Sequence, residues 1–95
     1  MGPKLGEKPK ATAWFVYLLR CGDGTLYCGI ALDVAARLQQ HAAGKGAKYT
    51  RGRGPLELVY QEACASKAEA LRRERVIKRM RREQKRRLAG QASPT

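Results

Sequence analysis

A glutamate in the last third of the sequence lies on a predicted apolar helix face, where a charged side chain is unexpected. Glu74 falls inside the apolar stripe of a predicted helix, between Leu71 on one side and Ala70 and Ile77 on the other. A carboxylate on such a face is costly unless a cation or a metal ion pairs with it. The spacing leaves two explanations open, an ion pair with a neighbouring arginine and a metal ligand.

A second group of polar and aromatic side chains could act on a phosphate. Arg37 and His41 are four residues apart on a predicted helix, so they project as neighbours, a guanidinium beside a proton acceptor. Tyr17 and Tyr27 fall in two predicted strands, where aromatic residues usually serve packing. Their register is open, because a three-residue loop would pair Tyr17 with Tyr27, whereas a two-residue loop would pair Tyr27 with Arg20.

The strands that must position these residues follow from hydrophobic patterning. Residues 13–19 are apolar on both alternating faces, which is typical of a central strand that is covered on both sides. Turn-forming residues at 21–25 and a second strand at 26–31 complete a predicted hairpin. A short strand is predicted at 56–60, and its alternation would place three side chains on one face: Leu56, Leu58 and Tyr60.

The helices are marked by capping residues. Asp33 can cap a helix that Gly44 closes, and residues 66–69 form a capping box at the start of a longer helix. This helix runs to about residue 88, and Arg82 is a candidate position for a break. The elements predict an α/β fold, a small sandwich in which helices flank a three-stranded, mostly antiparallel sheet. The order is β-β-α-β-α, and the break would add a short C-terminal helix.

Positive charge dominates the composition. Twenty Lys and Arg residues against eight Asp and Glu residues give a formal net charge of +12. Eleven of these cations lie at 67–87, so most of the excess belongs to the long helix. A polyanion is the expected partner, because each neutralised phosphate releases counterions. An anionic membrane is disfavoured, since the apolar residues of that helix are needed to cover the sheet and it carries no Trp or Phe.

Other features of the sequence exclude whole classes of protein. The longest apolar run has seven residues, against about 20 in a membrane-spanning helix, and the first ten residues hold no apolar segment of a secretory signal. Three cysteines without a CxxC pair predict buried, reduced thiols in a cytoplasmic protein. The folded domain is expected at residues 13–88, with flexible segments at 1–12 and 89–95.

The order of these residues along the chain resembles that of the GIY-YIG nuclease family, in its small single-domain bacterial (UPF0213-like) members. The resemblance covers about residues 14–88. Five segments carry it: VY at 16–17, YCG at 27–29, ARLQQH at 36–41, GKGAKYTRG at 44–52 and ALRRE at 70–74. The chain departs from the pattern in two respects. It has no Asn, whereas several members carry an active-site Asn downstream, and it has Ile30 where some relatives have Lys.

The resemblance implies a divalent-metal-dependent endonuclease that hydrolyses phosphodiester bonds in DNA, selects structure rather than sequence, and serves DNA repair. It implies that Glu74 binds a single Mg²⁺ or Mn²⁺ ion, weakly held without substrate, and that Arg37 binds the scissile phosphate. Tyr17, Tyr27 and His41 would surround the attacking water. A free Tyr has a pKa of about 10 and a free His about 6.5, so we expect Tyr27 to orient the water and His41 to accept its proton.

Further contacts with the nucleic acid are expected from Gly29, because a residue without Cβ permits close approach, and from cations of the basic loop at 44–54 and of the long helix. These cations are Lys45, Lys48, Arg51, Arg53, Arg72, Arg73 and Lys78. Binding should be weakly sequence-specific and strongly salt-dependent. No membrane or obligate protein partner is expected, and a non-catalytic nucleic-acid-binding module on the same fold is the alternative.

Overall fold

The structure, a computed structural model, describes residues 13–91, so the predicted segment at 1–12 and residues 92–95 lie outside the described part. The helices and strands follow in this order: β1 (Trp14–Arg20), β2 (Leu26–Ala31), α1 (Val34–Ala42), a 3₁₀ turn (Lys48–Thr50), β3 (Glu57–Cys64), α2 (Lys67–Lys78) and α3 (Arg82–Gln91). The predicted α/β class and element order are confirmed. The additional C-terminal helix extends to Gln91 and so includes the first three residues of the predicted tail.

The three strands form one antiparallel sheet in the order β2-β1-β3. The central place of β1 confirms the expectation from its two apolar faces. One face packs Val16 and Leu18 against Ile77 of α2, and the opposite face packs Leu19 against Val34 of α1. The sheet therefore separates two small cores, each covered by helices, and the side chains of β1 point alternately into both.

Both registers left open for the hairpin are wrong. Tyr17 lies opposite Gly29, and Leu19 lies opposite Tyr27. The turn closes one residue later along the chain than the three-residue alternative assumed, because the backbone N–H of Cys21 donates to Thr25 O at 2.8 Å and leaves residues 22–24 in the loop. Tyr17 and Tyr27 are consequently diagonal neighbours on the same face of the sheet.

Strand β3 is longer than predicted and contains an irregularity. Leu18 lies opposite Tyr60 and Leu19 opposite Leu58, which leaves Val59 between the two paired positions. This β-bulge turns Tyr60 to the face opposite Leu58. The prediction that Leu56, Leu58 and Tyr60 share one face is therefore wrong at Tyr60, which packs with the core of Val16 and Leu18.

The start of α2 and the break before α3 both follow side-chain capping. Ser66 Oγ accepts a hydrogen bond from Glu69 N at 3.1 Å, and the Glu69 carboxylate accepts one from Ala65 N at 3.1 Å. Helix α2 ends at Lys78, and the Gln84 side chain then accepts a hydrogen bond from Arg81 N at 2.9 Å as α3 begins. The predicted break lies at residues 79–81.

The cysteines Cys21, Cys28 and Cys64 are free and buried, which confirms the expectation of buried thiols. Among residues 13–91, none of the helices has the length and apolar character needed to span a membrane.

Candidate active site

Three predicted site residues meet in an aromatic cluster between β1, β2 and α1. The ring centroids of Tyr17 and Tyr27 are 6.4 Å apart, and those of Tyr27 and His41 are 5.4 Å apart. The Tyr17 hydroxyl lies 2.8 Å from His41 Nε2. The hairpin register brings the two tyrosines together, and the last turn of α1 places the imidazole against both.

Helix α1 holds Arg37 and His41 toward this cluster because its start is capped and its first residue is buried. The Asp33 carboxylate accepts a hydrogen bond from Ala36 N at 3.0 Å, and Val34 packs against the sheet. The proximity of Arg37 is visible in its electrostatic effect, since its positive charge lowers the pKa of Tyr17, Tyr27 and His41. The guanidinium therefore lies near the cluster, where its Nη1 donates a hydrogen bond to Gln40 Oε1 at 2.8 Å.

Burial opposes this effect on the tyrosines. Desolvation of the buried hydroxyl, followed by the proximity of Tyr27, raises the pKa of Tyr17 to about 12. Burial also raises the pKa of Tyr27, although Lys78 and Arg37 partly offset the increase. Both hydroxyls are consequently neutral at pH 7.

Gly29 has a structural reason to be glycine. It lies opposite Tyr17 in the hairpin and is buried, and a Cβ at this position would lie 2.5 Å from the Tyr17 hydroxyl oxygen. The tyrosine ring fills the space that a side chain would need. The close approach permitted by Gly29 is therefore that of Tyr17.

Glu74 is largely buried, with 18% of its side chain exposed, and it lies in α2 where that helix packs beside β2. Its negative charge raises the pKa of Tyr27 and of Cys28. The carboxylate is paired with Lys78 Nζ at 3.4 Å, and 53% of the lysine side chain is exposed. The ion-pair partner of Glu74 is thus a lysine, whereas the sequence suggested a neighbouring arginine.

The loop after α1 contributes site residues that the sequence prediction missed. The Tyr49 ring stacks on Tyr27, with centroids 5.7 Å apart and planes at 25°, and the Arg53 guanidinium lies over the Tyr49 ring, 4.4 Å from its centroid. Thr50 is buried, and its Oγ1 lies 3.0 Å from His41 Nδ1. The sequence signal for these two residues was an aromatic and a hydroxyl side chain within a glycine-rich loop. The prediction for that loop considered only its basic residues, so Tyr49 and Thr50 were not identified.

The predicted nucleic-acid contacts divide into two groups. Three of the cations are held by carboxylates, in the pairs Arg53–Asp23, Arg73–Glu62 and Lys78–Glu74. The others are exposed, and none of them forms a salt bridge within residues 13–91: Lys45, Lys48, Arg51 and Arg72. This second group is available to phosphates.

A small cavity adjoins the aromatic cluster beside Tyr49. Its volume is about 180 Å³, and its lining residues are Thr25, Leu26, Tyr49, Arg82 and Lys85. The two cations come from α3, and within the described part of the chain no carboxylate contributes to the lining. The cavity therefore extends positive potential from the cluster along the protein surface.

Comparison with known proteins places this geometry in a family. The sequence profile of the GIY-YIG catalytic domain matches residues 13–87. The chain is 58% identical over 71 residues to a UPF0213 protein of Staphylococcus epidermidis, and the aligned region covers 75% of this chain and 87% of the relative. It is 51% identical over 69 residues to a UPF0213 protein of Desulfotalea psychrophila, covering 72% and 63% respectively.

Solved structures agree with the sequence relatives. The solution NMR structure of the UPF0213 protein of Bacillus halodurans is 47% identical, with a TM-score of 0.56 over 86% of this chain and 88% of that one. A solution NMR structure from Enterococcus faecalis is 35% identical, with a TM-score of 0.55 over 77% and 78% of the two chains.

The chain belongs to the GIY-YIG nuclease family, as its sequence motifs predicted. Within that family it falls among the UPF0213 proteins. Membership in a nuclease family implies that the chain binds nucleic acid.

Proposed function

We propose that this protein is a divalent-metal-dependent endonuclease that hydrolyses phosphodiester bonds in DNA and selects its substrate by structure rather than by sequence. The observation that carries the proposal is the convergence of two tyrosines and a histidine, with the guanidinium of Arg37 and the carboxylate of Glu74 close enough to shift the pKa of Tyr27. These groups come from β1, β2, α1 and α2. Structural stability alone does not require them to meet at one place.

Arg37 is the group proposed to bind the scissile phosphate. Its charge acts on Tyr17, Tyr27 and His41 together, so a phosphate held by the guanidinium would lie beside all three rings. Arginine forms strong charge-assisted hydrogen bonds with phosphate oxygens. A fixed cation at this position also stabilises the negative charge that develops in the transition state.

Glu74 fits a weakly held Mg²⁺ or Mn²⁺ ion. Residues 13–91 contain no group of three or more His, Cys, Asp and Glu side chains able to bind a metal on their own. The buried Cys28 thiol is a soft ligand, whereas Mg²⁺ and Mn²⁺ prefer carboxylate, carbonyl and water oxygens. A single carboxylate suits a hydrated ion that completes its shell with water and substrate phosphate, and such an ion would act as a Lewis acid on the phosphate.

The substrate is proposed to lie across the exposed cations and the cavity beside Tyr49. Arg82 and Lys85 in that cavity would take a phosphate next to the one that is cut. Lys45, Lys48, Arg51 and Arg72 would bind the backbone further away, and such contacts position a nucleic acid without reading its bases. Selectivity would then depend on the shape and deformability of the DNA, which is the basis for proposing a role in DNA repair.

Other parts of the proposal have indirect support. The three free, buried thiols are consistent with a reducing, cytoplasmic setting. The competing function is a nucleic-acid-binding module without catalysis. The ion pair between Glu74 and Lys78 favours that alternative, because the lysine already neutralises the carboxylate proposed to bind the metal.

Cleavage of defined DNA shapes distinguishes the two functions. Nicked, branched and single-stranded oligonucleotides are incubated with the protein and Mg²⁺ or Mn²⁺, and both products and binding are measured. We expect metal-dependent cleavage that Glu74→Gln and Arg37→Ala abolish, while Glu74→Gln still binds DNA. Glu83→Gln, an acid-to-amide change in the exposed first turn of α3, is the matched control and should cleave normally. Binding without cleavage by the parent protein would establish the non-catalytic alternative.

A further inference from the structure

Both ring nitrogens of His41 are committed to partners inside the fold. Nε2 lies 2.8 Å from the Tyr17 hydroxyl. Nδ1 lies 3.1 Å from the backbone nitrogen of Ala47 and 3.0 Å from Thr50 Oγ1. The imidazole is 2% exposed, so water does not compete freely for either nitrogen.

The Ala47 contact decides which nitrogen carries the proton. A backbone N–H can only donate a hydrogen bond, so Nδ1 must accept from Ala47 and therefore has no proton of its own. A proton on Nδ1 would point at the Ala47 N–H. With Nδ1 unprotonated, the Thr50 hydroxyl shares its one proton between Nδ1 at 3.0 Å and the Ala47 carbonyl oxygen at 2.8 Å. The single proton of the neutral ring consequently lies on Nε2, which donates it to the Tyr17 oxygen.

The segment 46–50 is built around this contact. The Thr50 hydroxyl donates to the Ala47 carbonyl oxygen at 2.8 Å and so holds the Ala47 peptide in place. The Gly46 backbone is in close contact with the imidazole, since a Cβ there would be 2.8 Å from His41 Cγ and closer still to Nδ1. The glycine of the loop is thus needed for the backbone to approach the imidazole.

We infer that the segment 46–50 locks His41 in the Nε2–H tautomer, so that His41 is a positioning residue that donates a hydrogen bond to Tyr17 and is not the acceptor of the water proton. The structural part of this inference stands alone, and its catalytic part rests on the proposed function. It replaces the sequence-based expectation that His41 acts as the base.

The consequence for Tyr17 is a defined direction for its proton. Because its oxygen accepts from His41 Nε2–H, its own O–H is directed away from the imidazole and can donate to another acceptor. Tyr17 is 1% exposed, so the hydrogen bond from His41 fixes the hydroxyl inside the cluster.

The electrostatic environment supports a neutral ring. Burial and then the charge of Arg37 lower the pKa of His41. The groups that face the imidazole are Tyr17, Tyr27, Arg37 and Thr50, and within residues 13–91 no carboxylate hydrogen-bonds to it. Nothing in that environment favours an imidazolium.

Nuclear magnetic resonance tests the tautomer directly. His41 is the only histidine in the chain, so its ¹⁵N signals are assigned without ambiguity. We expect Nδ1 at the shift of an unprotonated nitrogen and Nε2 at that of a protonated one, with no change between about pH 6 and 8. A proton on Nδ1, or titration of the ring within that interval, would overturn the inference. This measurement needs no cleavage, so it stands whether or not the protein proves to be a nuclease.

Two variants test the loop. Gly46→Ala should displace the ring and move both ¹⁵N signals. Gly90→Ala makes the same chemical change where, among residues 13–91, a Cβ meets no atom within 4 Å, and it should leave both signals unchanged. If the signals of Gly46→Ala matched those of the parent protein, the loop would not be the device that fixes the tautomer.

Cleavage by His41 variants tests the role. The Gln amide can donate a hydrogen bond to Tyr17 but cannot take up a proton, so His41→Gln should cleave at least about tenfold faster than His41→Ala. Equal loss in folded samples of both variants would show that proton uptake by His41 is required and would overturn the catalytic part. If the parent protein cleaves nothing, the proposed function fails, whereas the tautomer measurement still decides the structural part.

Discussion

Replacing Gly29 by alanine should disrupt the candidate site from within the sheet. The added Cβ would lie 2.5 Å from the Tyr17 hydroxyl oxygen and 2.7 Å from Cζ, whereas ordinary van der Waals contact begins at 3.4 Å. The tyrosine must therefore retreat by roughly 1 Å, although it is 1% exposed and packed against Tyr27 and His41. A shift of that size carries the hydroxyl out of hydrogen-bonding range of His41 Nε2, now 2.8 Å away.

The expected loss of stability follows from two costs and one gain. Overpacking a core costs about 1–3 kcal/mol, and the lost hydrogen bond to His41 costs about 1 kcal/mol. Alanine restricts the unfolded chain more than glycine does, which returns about 0.4–1 kcal/mol. The free energy of unfolding should thus fall by roughly 1–3.5 kcal/mol, and each kcal/mol corresponds to about 4–8 °C in Tm.

Urea denaturation of Gly29→Ala and Gly90→Ala measures this difference. Gly90 lies in the last turn of α3, and among the described residues no atom is within 4 Å of an added Cβ, so there alanine should stabilise the helix slightly, by up to about 0.5 kcal/mol. The same substitution should therefore have opposite signs at the two positions. A Gly29→Ala protein as stable as the parent, with unchanged His41 ¹⁵N signals, would refute the argument that Tyr17 requires a glycine beneath it.

Three further predictions concern charge. Glu74→Gln should change the free energy of unfolding by no more than about 0.5 kcal/mol, because it breaks only an i,i+4 ion pair with a half-exposed lysine. A loss of several kcal/mol in urea denaturation would mean that the carboxylate is needed to stabilise the fold. Arg72→Ala should reduce the slope of log K against log salt in DNA binding by about 1. Arg73→Ala should change that slope less, because the Arg73 Nε already donates to Glu62 at 2.9 Å. Equal effects of the two variants would contradict the division into exposed and carboxylate-paired cations. The pKa of His41 is lowered in the folded state, so the unfolded chain binds a proton at this residue more readily. Its contribution to stability is therefore complete above about pH 6.5 and is lost as the pH falls toward the folded pKa. Urea midpoints of the parent and of His41→Gln, compared at about pH 7.5 and pH 5, should show this additional loss of stability at acid pH only in the parent.

Much of the fold could be predicted because local patterns determine it. The two apolar faces of β1 require cover on both sides, which places this strand centrally. The carboxylate of Asp33 and the Ser66–Glu69 pair satisfy backbone donors within a few residues, so they mark helix starts wherever those helices pack.

The predictions that failed depend on backbone geometry that short patterns do not encode. A hairpin register follows from the length and position of the turn, and the hydrogen bond from Cys21 to Thr25 closed a three-residue loop one position later than expected. The bulge at Val59 inserts one residue and reverses the faces of β3 beyond it, so alternation misplaced Tyr60.

For the candidate site, the sequence by itself determined which reactive side chains exist and in what order: the two tyrosines, the Arg37–His41 pair and a glutamate on an apolar helix face. Only the tertiary structure decided how they are used, because their hydrogen bonds join residues distant along the chain. The Ala47 N–H that sets the protonation of His41, and the Tyr49 ring that stacks on Tyr27, belong to a loop whose composition suggested phosphate binding alone. Hydrogen-bond direction and ring stacking depend on distances of a few ångström between such segments, and folding alone brings those segments together.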